Sequence, residues 1–321
     1  MLSRVADAVY WMNRYMERAE NVARFIDVNL ALMLDLEDGY EEQWMPLVAT
    51  TGDEAWFFEH YDSTTRDEVM RFLALDDRYP NSILRCMKAA RENARSVREI
   101  ISSEMWEQIN RAYLYMREAA ADPEAALDTP HELLSEIKLA VQTFVGVAHV
   151  SMTHNEAWHF GRLGRLLERA DKTSRIVDVR YFLLSGAPTS TFRAVDHIHW
   201  GALLKSASAM EMYRKQYRGI RPSRVIDFLL LDARFPRAVR RCLMVAQESL
   251  RAITDNPGAD TEPERRLQAL CEELEGQSAD SIIEAGVHEY LDRLQSDLNG
   301  VGAAVFDTFL AVKPVGDAGL E

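Results

Sequence analysis

Two segments of this chain set arginine and glutamate at helical spacing. Residues 14–29 read RYMERAENVARFIDVN, and residues 165–180 read RLLERADKTSRIVDVR. On a wheel of 100° per residue, Arg14, Glu17, Asn21 and Arg24 fall within about an 80° arc. Arg18 follows Glu17 directly. The second segment repeats the pattern with Arg165, Glu168, Arg169 and Arg175. It places Lys172 where Asn21 stands and Asp171 where Glu20 stands. A guanidinium group is a planar donor fork that fits a carboxylate or a phosphate. The chemistry on offer is therefore anion recognition or a network of ion pairs. Within each segment, Arg and Glu at i and i+3 can pair along the helix. Across two such helices the same groups can pair with each other. The candidate ligand- or partner-binding residues are Arg14, Glu17, Arg18, Asn21, Arg24, Arg165, Glu168, Arg169, Asp171 and Arg175. No residue is assigned a catalytic role.

Other constellations carry less. Glu156-x-x-His159 has the spacing of a di-iron ligand pair, but such a site needs a second Glu-x-x-His and two further carboxylates. Glu284 and His288 are four apart and do not supply it. His197 and His199, at i and i+2, do not share a helix face. The chain has no H-E-x-x-H, G-x-G-x-x-G, P-loop or G-x-S-x-G pattern, so neither a metal nor a cofactor is expected. Any ATP chemistry would come from a partner. Cys86 and Cys242 read as small core residues. Trp106, Trp158, Tyr113 and Tyr115 read as core or interface aromatics. Asp76 with Arg78, and Asp232 with Arg234, read as braces of a turn before Pro80 and Pro236.

The elements that must position these residues are helices. Val5, Val9, Met12, Met16, Ala19, Ala23, Ile26 and Leu30 keep the 3.6 period over more than seven turns. Tyr10, Phe25 and Val28 border the polar arc, so the first Glu-Arg helix is apolar on much of its circumference, as a buried central helix would be. Such a helix must pair its charges or turn them to a polar pocket, because an unpaired buried ion costs several kcal/mol. No convincing alternating strand is present. Capping boxes are expected at Thr65–Glu68, Thr129–Glu132, Thr153–Glu156 and Ser281–Glu284. Pro130, Pro80 and Pro236 are expected in first turns. Loops are expected near Asp122–Pro130, Gly186–Thr191 and Asp255–Pro263. The expectation is an all-α, bundle-like array of about ten to twelve helices.

The chain also reads as a duplication. Seven of the sixteen positions in the two Glu-Arg segments are identical at an offset of 151. A second match follows in the same order at an offset of 156: FLALDDRYPNSILRC at 72–86 against FLLLDARFPRAVRRC at 228–242. The halves are about 1–150 and 151–321, expected to pack as one compact, pseudo-symmetric body.

With 321 residues, 47% hydrophobic and 27% charged, the chain is ordinary for a globular protein, which excludes global disorder. Its net charge of −14 repels nucleic acid and anionic membranes at long range, so no nucleic-acid or membrane partner is expected. A local basic pocket remains compatible with that charge. Three cysteines without a C-x-x-C pair suit a reducing compartment. Asp7, Arg14, Glu17 and Arg18 break up the N-terminal apolar run, and no stretch approaches 18 consecutive apolar residues. A cytoplasmic location is expected.

The segments YWMNRYMERAENVAR, LDDRYPNSIL, ARENARSVREIISSEMWEQIN and MTHNEAWHFGRLGRLLERAD together resemble the bacterial alpha-E family, an all-helical family named for its Glu-Arg motif. The resemblance is strong from Met1 to about Cys242 and weaker beyond. Asn13 stands where the family often has glycine, whereas the second copy keeps Gly164. The resemblance implies partners: a circularly permuted ATP-grasp protein and a transglutaminase-like protein, in systems that form or modify peptide or amide bonds. Three readings of function follow. The chain is a component of such a pathway and binds a partner or substrate through the Glu-Arg helix pair. It is a stand-alone enzyme with a Glu/Arg-lined polar pocket. Or it is a helical scaffold without a small-molecule site.

Overall fold

The computed structural model describes residues 1–35, 44–185, 194–254 and 260–311. These residues form helices and no strand, as the periodicity predicts. In the first half, α1 spans Ser3–Asp35, α2 Met45–Thr51, α3 Glu54–His60, α4 Arg66–Met70, α5 Ile83–Ser96, α6 Ser103–Ala121, α7 Pro123–Asp128 and α8 Pro130–Ser151. In the second, α9 spans Glu156–Ser185, α10 Ala194–Ser206, α11 Met210–Gln216, α12 Pro222–Ile226, α13 Val239–Thr254, α14 Glu262–Gly276, α15 Ala279–Ala285 and α16 Val287–Val305. Single π-helical turns follow α4, α12 and α16, at Arg71–Leu75, Asp227–Leu231 and Phe306–Leu310.

Sixteen helices exceed the expected ten to twelve. The surplus comes from short helices such as α2, α4, α7 and α12. Helices of five to seven residues make fewer than two turns and leave no readable 3.6 period. One of them, α7, occupies the stretch Asp122–Pro130 that reads as a loop. Of the other two expected loops, Gly186–Thr191 lies outside the described residues. So does most of Asp255–Pro263, whose end opens α14 at Glu262.

Several helix starts differ from the sequence reading in detail. Thr65 accepts from the Glu68 backbone N–H at 3.5 Å, but the Glu68 carboxylate turns to Ser63, so the box is half made. Thr129 precedes Pro130 at the start of α8 without a side-chain cap. Asn155, not Thr153, accepts from the first turn of α9, at Trp158 N. Ser278 with Ser281 caps α15, three residues ahead of the expected pair. Pro80 and Pro236 sit in turns ahead of their helices. Ser82 caps α5, accepting from Arg85 N at 3.1 Å, and α13 begins at Val239. At α5, α9 and α15 a hydroxyl or amide nearer the actual first turn reaches the free N–H groups first.

The buried apolar residues form two clusters. One runs from Val5 to Ala148 and includes the whole stripe Val5, Val9, Met12, Met16, Ala19, Ala23, Ile26 and Leu30. The other runs from Phe160 to Leu310 and takes in Ala6 and Tyr10 from the opposite side of α1. Helix α1 thus serves both cores, and α9 packs against it. Among the described residues α8 alone is long and apolar enough to cross a membrane by length and composition. One third of that stretch is buried, on the face that carries Leu134, Ile137, Val141 and Phe144.

Candidate functional site: a buried carboxylate–guanidinium network

All ten candidate residues lie on α1 and α9, which pass close to each other. The approach depends on two glycines of α9. A methyl group on Gly164 would lie 2.5 Å from the Tyr10 carbonyl oxygen, and one on Gly161 would lie 2.5 Å from Asn13 Nδ2. Asn13 therefore does not open the contact. It rests over Gly161 and donates to the Val9 carbonyl at 3.0 Å.

The close approach decides how the charges pair. Arg14 and Glu17 do not pair along α1, nor Arg165 and Glu168 along α9. The bonds run between the helices instead. Arg18 forks onto Glu168, with Nε to Oε1 at 2.6 Å and Nη2 to Oε2 at 3.0 Å. Arg169 forks onto Glu17, with Nε to Oε1 at 2.8 Å and Nη2 to Oε2 at 2.7 Å. Two parallel bonds to a facing carboxylate satisfy the fork better than one bent contact a turn away. Arg14 adds a bond to Glu168 at 2.9 Å and one to the Tyr10 hydroxyl at 3.1 Å, with its guanidinium over Trp11.

A second ring surrounds these forks. Arg24 binds Glu20 along α1 and reaches Ser208. Asp171 holds Arg175 at 3.0 Å and Lys172 at 3.4 Å. Arg237, just ahead of α13, was not among the expected residues. It bridges Glu17 at 3.2 Å, Asn21 at 2.9 Å and Glu20 at 2.8 Å. Asn81 accepts from Arg18. A signal for Arg237 was available. At the offset of 156 it aligns with Asn81, and at the offset of 151 Asn21 aligns with Lys172. A cation and a neutral amide have changed places at both positions, so each carboxylate cluster keeps a cation at one of the two.

Glu17 and Glu168 are fully buried. Burial by itself would raise their pKa, but Arg169 and Arg237 outweigh it and hold Glu17 down at about 2. Arg18 and Arg14 likewise hold Glu168 well below the usual range. Glu20 is lowered mainly by Arg237 against its own burial. All three are permanent anions at neutral pH. Four carboxylates (Glu17, Glu20, Glu168 and Asp171) face eight cations: Arg14, Arg18, Arg24, Arg165, Arg169, Lys172, Arg175 and Arg237. Among the described residues seven of these cations make an ion pair with a carboxylate within 4 Å, and Arg165 does not.

The network is closed around its carboxylates, and clefts open at its edges. A narrow one of about 20 Å³ borders Arg18 and Lys172 beside Phe25, Leu47 and Tyr79. A roomier one of about 90 Å³ borders Arg165. The Asp-x-Arg turns and the two repeat cysteines fall where their structural readings put them. Asp76 accepts from Arg78 N at 2.8 Å, and Asp232 from Arg234 N at 2.7 Å. Cys86 and Cys242 are fully buried, and burial pushes both thiols up to about 12. Among the described residues no three His, Cys, Asp or Glu side chains gather as a ligand set. Two similar pairs tie α1 and α9 to their neighbours: Asp27 to His131 and Asp178 to His288, each at 2.7 Å.

The chain is 26% identical to a protein of Mycobacterium bovis and to counterparts from two Mycobacterium tuberculosis strains, all described only as uncharacterized. The alignments cover 96% of this chain and 37% of each relative, so the chain spans little more than a third of their length. No solved structure matches it. The family model for Alpha-E, described as a predicted alpha-helical domain with a conserved ER motif, matches residues 1–310. Those residues carry both Glu-Arg helices and almost the whole described fold, and the chain belongs to the Alpha-E family.

Proposed function

We propose that this chain is a binding component of a cytoplasmic, ATP-grasp-linked pathway that forms or modifies peptide or amide bonds. Its partners in this reading are a circularly permuted ATP-grasp protein and a transglutaminase-like protein. The Glu-Arg pair is its keystone: it locks the helices whose edges meet a partner or substrate. The pathway and partners rest on the family resemblance; the observation that favours a binding over a catalytic role is the complete burial of Glu17 and Glu168, each forked by guanidinium groups from the opposite helix. Carboxylates held that far below neutral pH are poor proton acceptors and have no proton to give, so they do not suit acid–base chemistry. A stand-alone enzyme centred on these residues is disfavoured for the same reason. The greater length of the Mycobacterium relatives fits a module that works beside others.

The same reading takes residues 1–150 and 151–321 as duplicated halves of one compact unit. Three correspondences support it. Arg18–Glu168 and Arg169–Glu17 are reciprocal. Asp27–His131 mirrors Asp178–His288. The π turns Arg71–Leu75 and Asp227–Leu231 stand 156 residues apart.

The test is co-purification with the ATP-grasp protein encoded nearest to this chain, followed by ATP-dependent product analysis. A stable complex, and product that needs this chain, are the expected results. Absence of a complex together with unchanged product would remove the pathway reading.

A further inference from the structure

We infer that the cleft between α1, α6, α8 and α9 is a binding site for a small organic oxyanion, a carboxylate or phosphate carried on an apolar body, with Arg165 as its anchor. The argument starts from the imbalance in the network. Arg165 occupies the place on α9 that Arg14 occupies on α1. Arg14 reaches Glu168, but among the described residues Arg165 makes no ion pair within 4 Å; Glu17 and Glu20 act on it only at longer range, because Arg169 and Arg237 already take the Glu17 oxygens. Its Nε is sealed from solvent and has no hydrogen-bond partner. A sealed donor left without an acceptor costs roughly 1–3 kcal/mol, which a protein tolerates where a ligand supplies the missing partner. Burial, then the neighbouring Arg169, draws its pKa down to about 10, so it stays charged at neutral pH.

The cleft itself suits an anion. It offers about 90 Å³ of water-accessible space, and Arg165, Arg162 and His149 line it without any Asp or Glu. In a chain of net charge −14, a cleft with two arginines and no carboxylate is a local reversal of sign. Arg162 lies over the Trp158 ring at 5.3 Å and pairs with exposed Glu248 at 3.2 Å. Trp158, Met105 and Met152 give the cleft an apolar wall. Where α1 has Tyr10, α9 has Gly161, which lines this cleft. The Tyr10 hydroxyl accepts from Arg14, so the same exchange also denies Arg165 an aromatic partner.

This inference does not rest on the pathway reading, and its test needs no partner. Titration calorimetry with phenyl phosphate, benzoate and inorganic phosphate on the full chain reads it directly. Saturable binding is expected for phenyl phosphate or benzoate, tighter than for inorganic phosphate because of the apolar wall. Whichever aromatic anion binds better identifies phosphate or carboxylate as the preferred head group. Arg165→Met should weaken binding roughly ten- to a hundredfold, the worth of a charge-assisted hydrogen bond. Arg111→Met, the same charge change at an exposed position, should leave it unchanged. Without ligand, Arg165→Met should raise the melting temperature, because it removes a sealed, unsatisfied donor and a charge that burial and Arg169 disfavour. No saturable binding of any probe, binding unaltered in Arg165→Met, or a clearly lower melting temperature for that variant would each overturn the assignment.

Discussion

Glu17 and Glu168 show how a residue can be indispensable without reacting. Each gives up hydration entirely and regains it as charge-assisted bonds, three to Glu168 and four to Glu17. Neutralising either strands guanidinium groups in a place with little water. Glu17→Gln and Glu168→Gln should each destabilise the protein by about 3–5 kcal/mol. Urea unfolding at neutral pH checks this, and variants as stable as the parent would mean that the network contributes nothing. The pH dependence has a definite sign. The folded pKa of Glu17 lies at about 2, below its ordinary 4.5. Its contribution is therefore complete above pH 4.5 and is lost as pH falls from there toward 2. Urea midpoints measured down through that window should drop steeply for the parent and less steeply for Glu17→Gln. His288 has the opposite sign. Its bond to Asp178 raises its pKa above 6.5, so its small, exposed contribution is present below 6.5 and fades as pH rises past the folded value.

At the scale of elements, the crossing of α1 and α9 depends on small residues. A methyl group at Gly164 meets backbone, the Tyr10 carbonyl, which cannot swing away, whereas one at Gly161 meets the end of the Asn13 side chain. Gly164→Ala should therefore cost roughly 1–3 kcal/mol through overpacking, and Gly161→Ala less. Chemical denaturation of both variants gives the order, and the reverse order would contradict the crossing geometry. The second ring permits a sharper test. Arg237 binds Asn21 from ahead of α13, while the aligned pair is Asn81 and Lys172. Arg237→Asn should destabilise by removing the cation shared by Glu17 and Glu20. Adding Asn21→Lys should restore part of the loss, because it copies the arrangement around Glu168. A double-mutant cycle should show a coupling of about 1–3 kcal/mol, and strict additivity would rule out the proposed equivalence.

At the scale of the whole molecule, the network divides its members between the halves. Glu168 draws Arg14 and Arg18 from the first, and Glu17 draws Arg169 and Arg237 from the second. Helix α1 also sends Ala6 and Tyr10 into the second core. Residues 1–152 or 153–321 produced alone should therefore lack cooperative unfolding. Co-expressed, the two should associate and regain it, as judged by size-exclusion chromatography and thermal melts. A fragment that melts sharply alone would show that the halves do not need each other.

The all-helical class was legible because apolar stripes such as Val5–Leu30 persist over many turns, and the Glu-Arg helices because their spacing repeats at a fixed offset. The short helices were not legible, since fewer than two turns carry no period. Nor was the choice between pairing within a helix and pairing across two. Local spacing offers Arg14 the Glu17 carboxylate, and only the close approach over Gly161 and Gly164 puts Glu168 nearer. Arg237 joined the network, and Arg165 was left out of it, for the same reason. Which cation reaches a carboxylate is set by distances between segments 150 to 220 residues apart, and the sequence determines residue types and local periods while packing alone determines those distances.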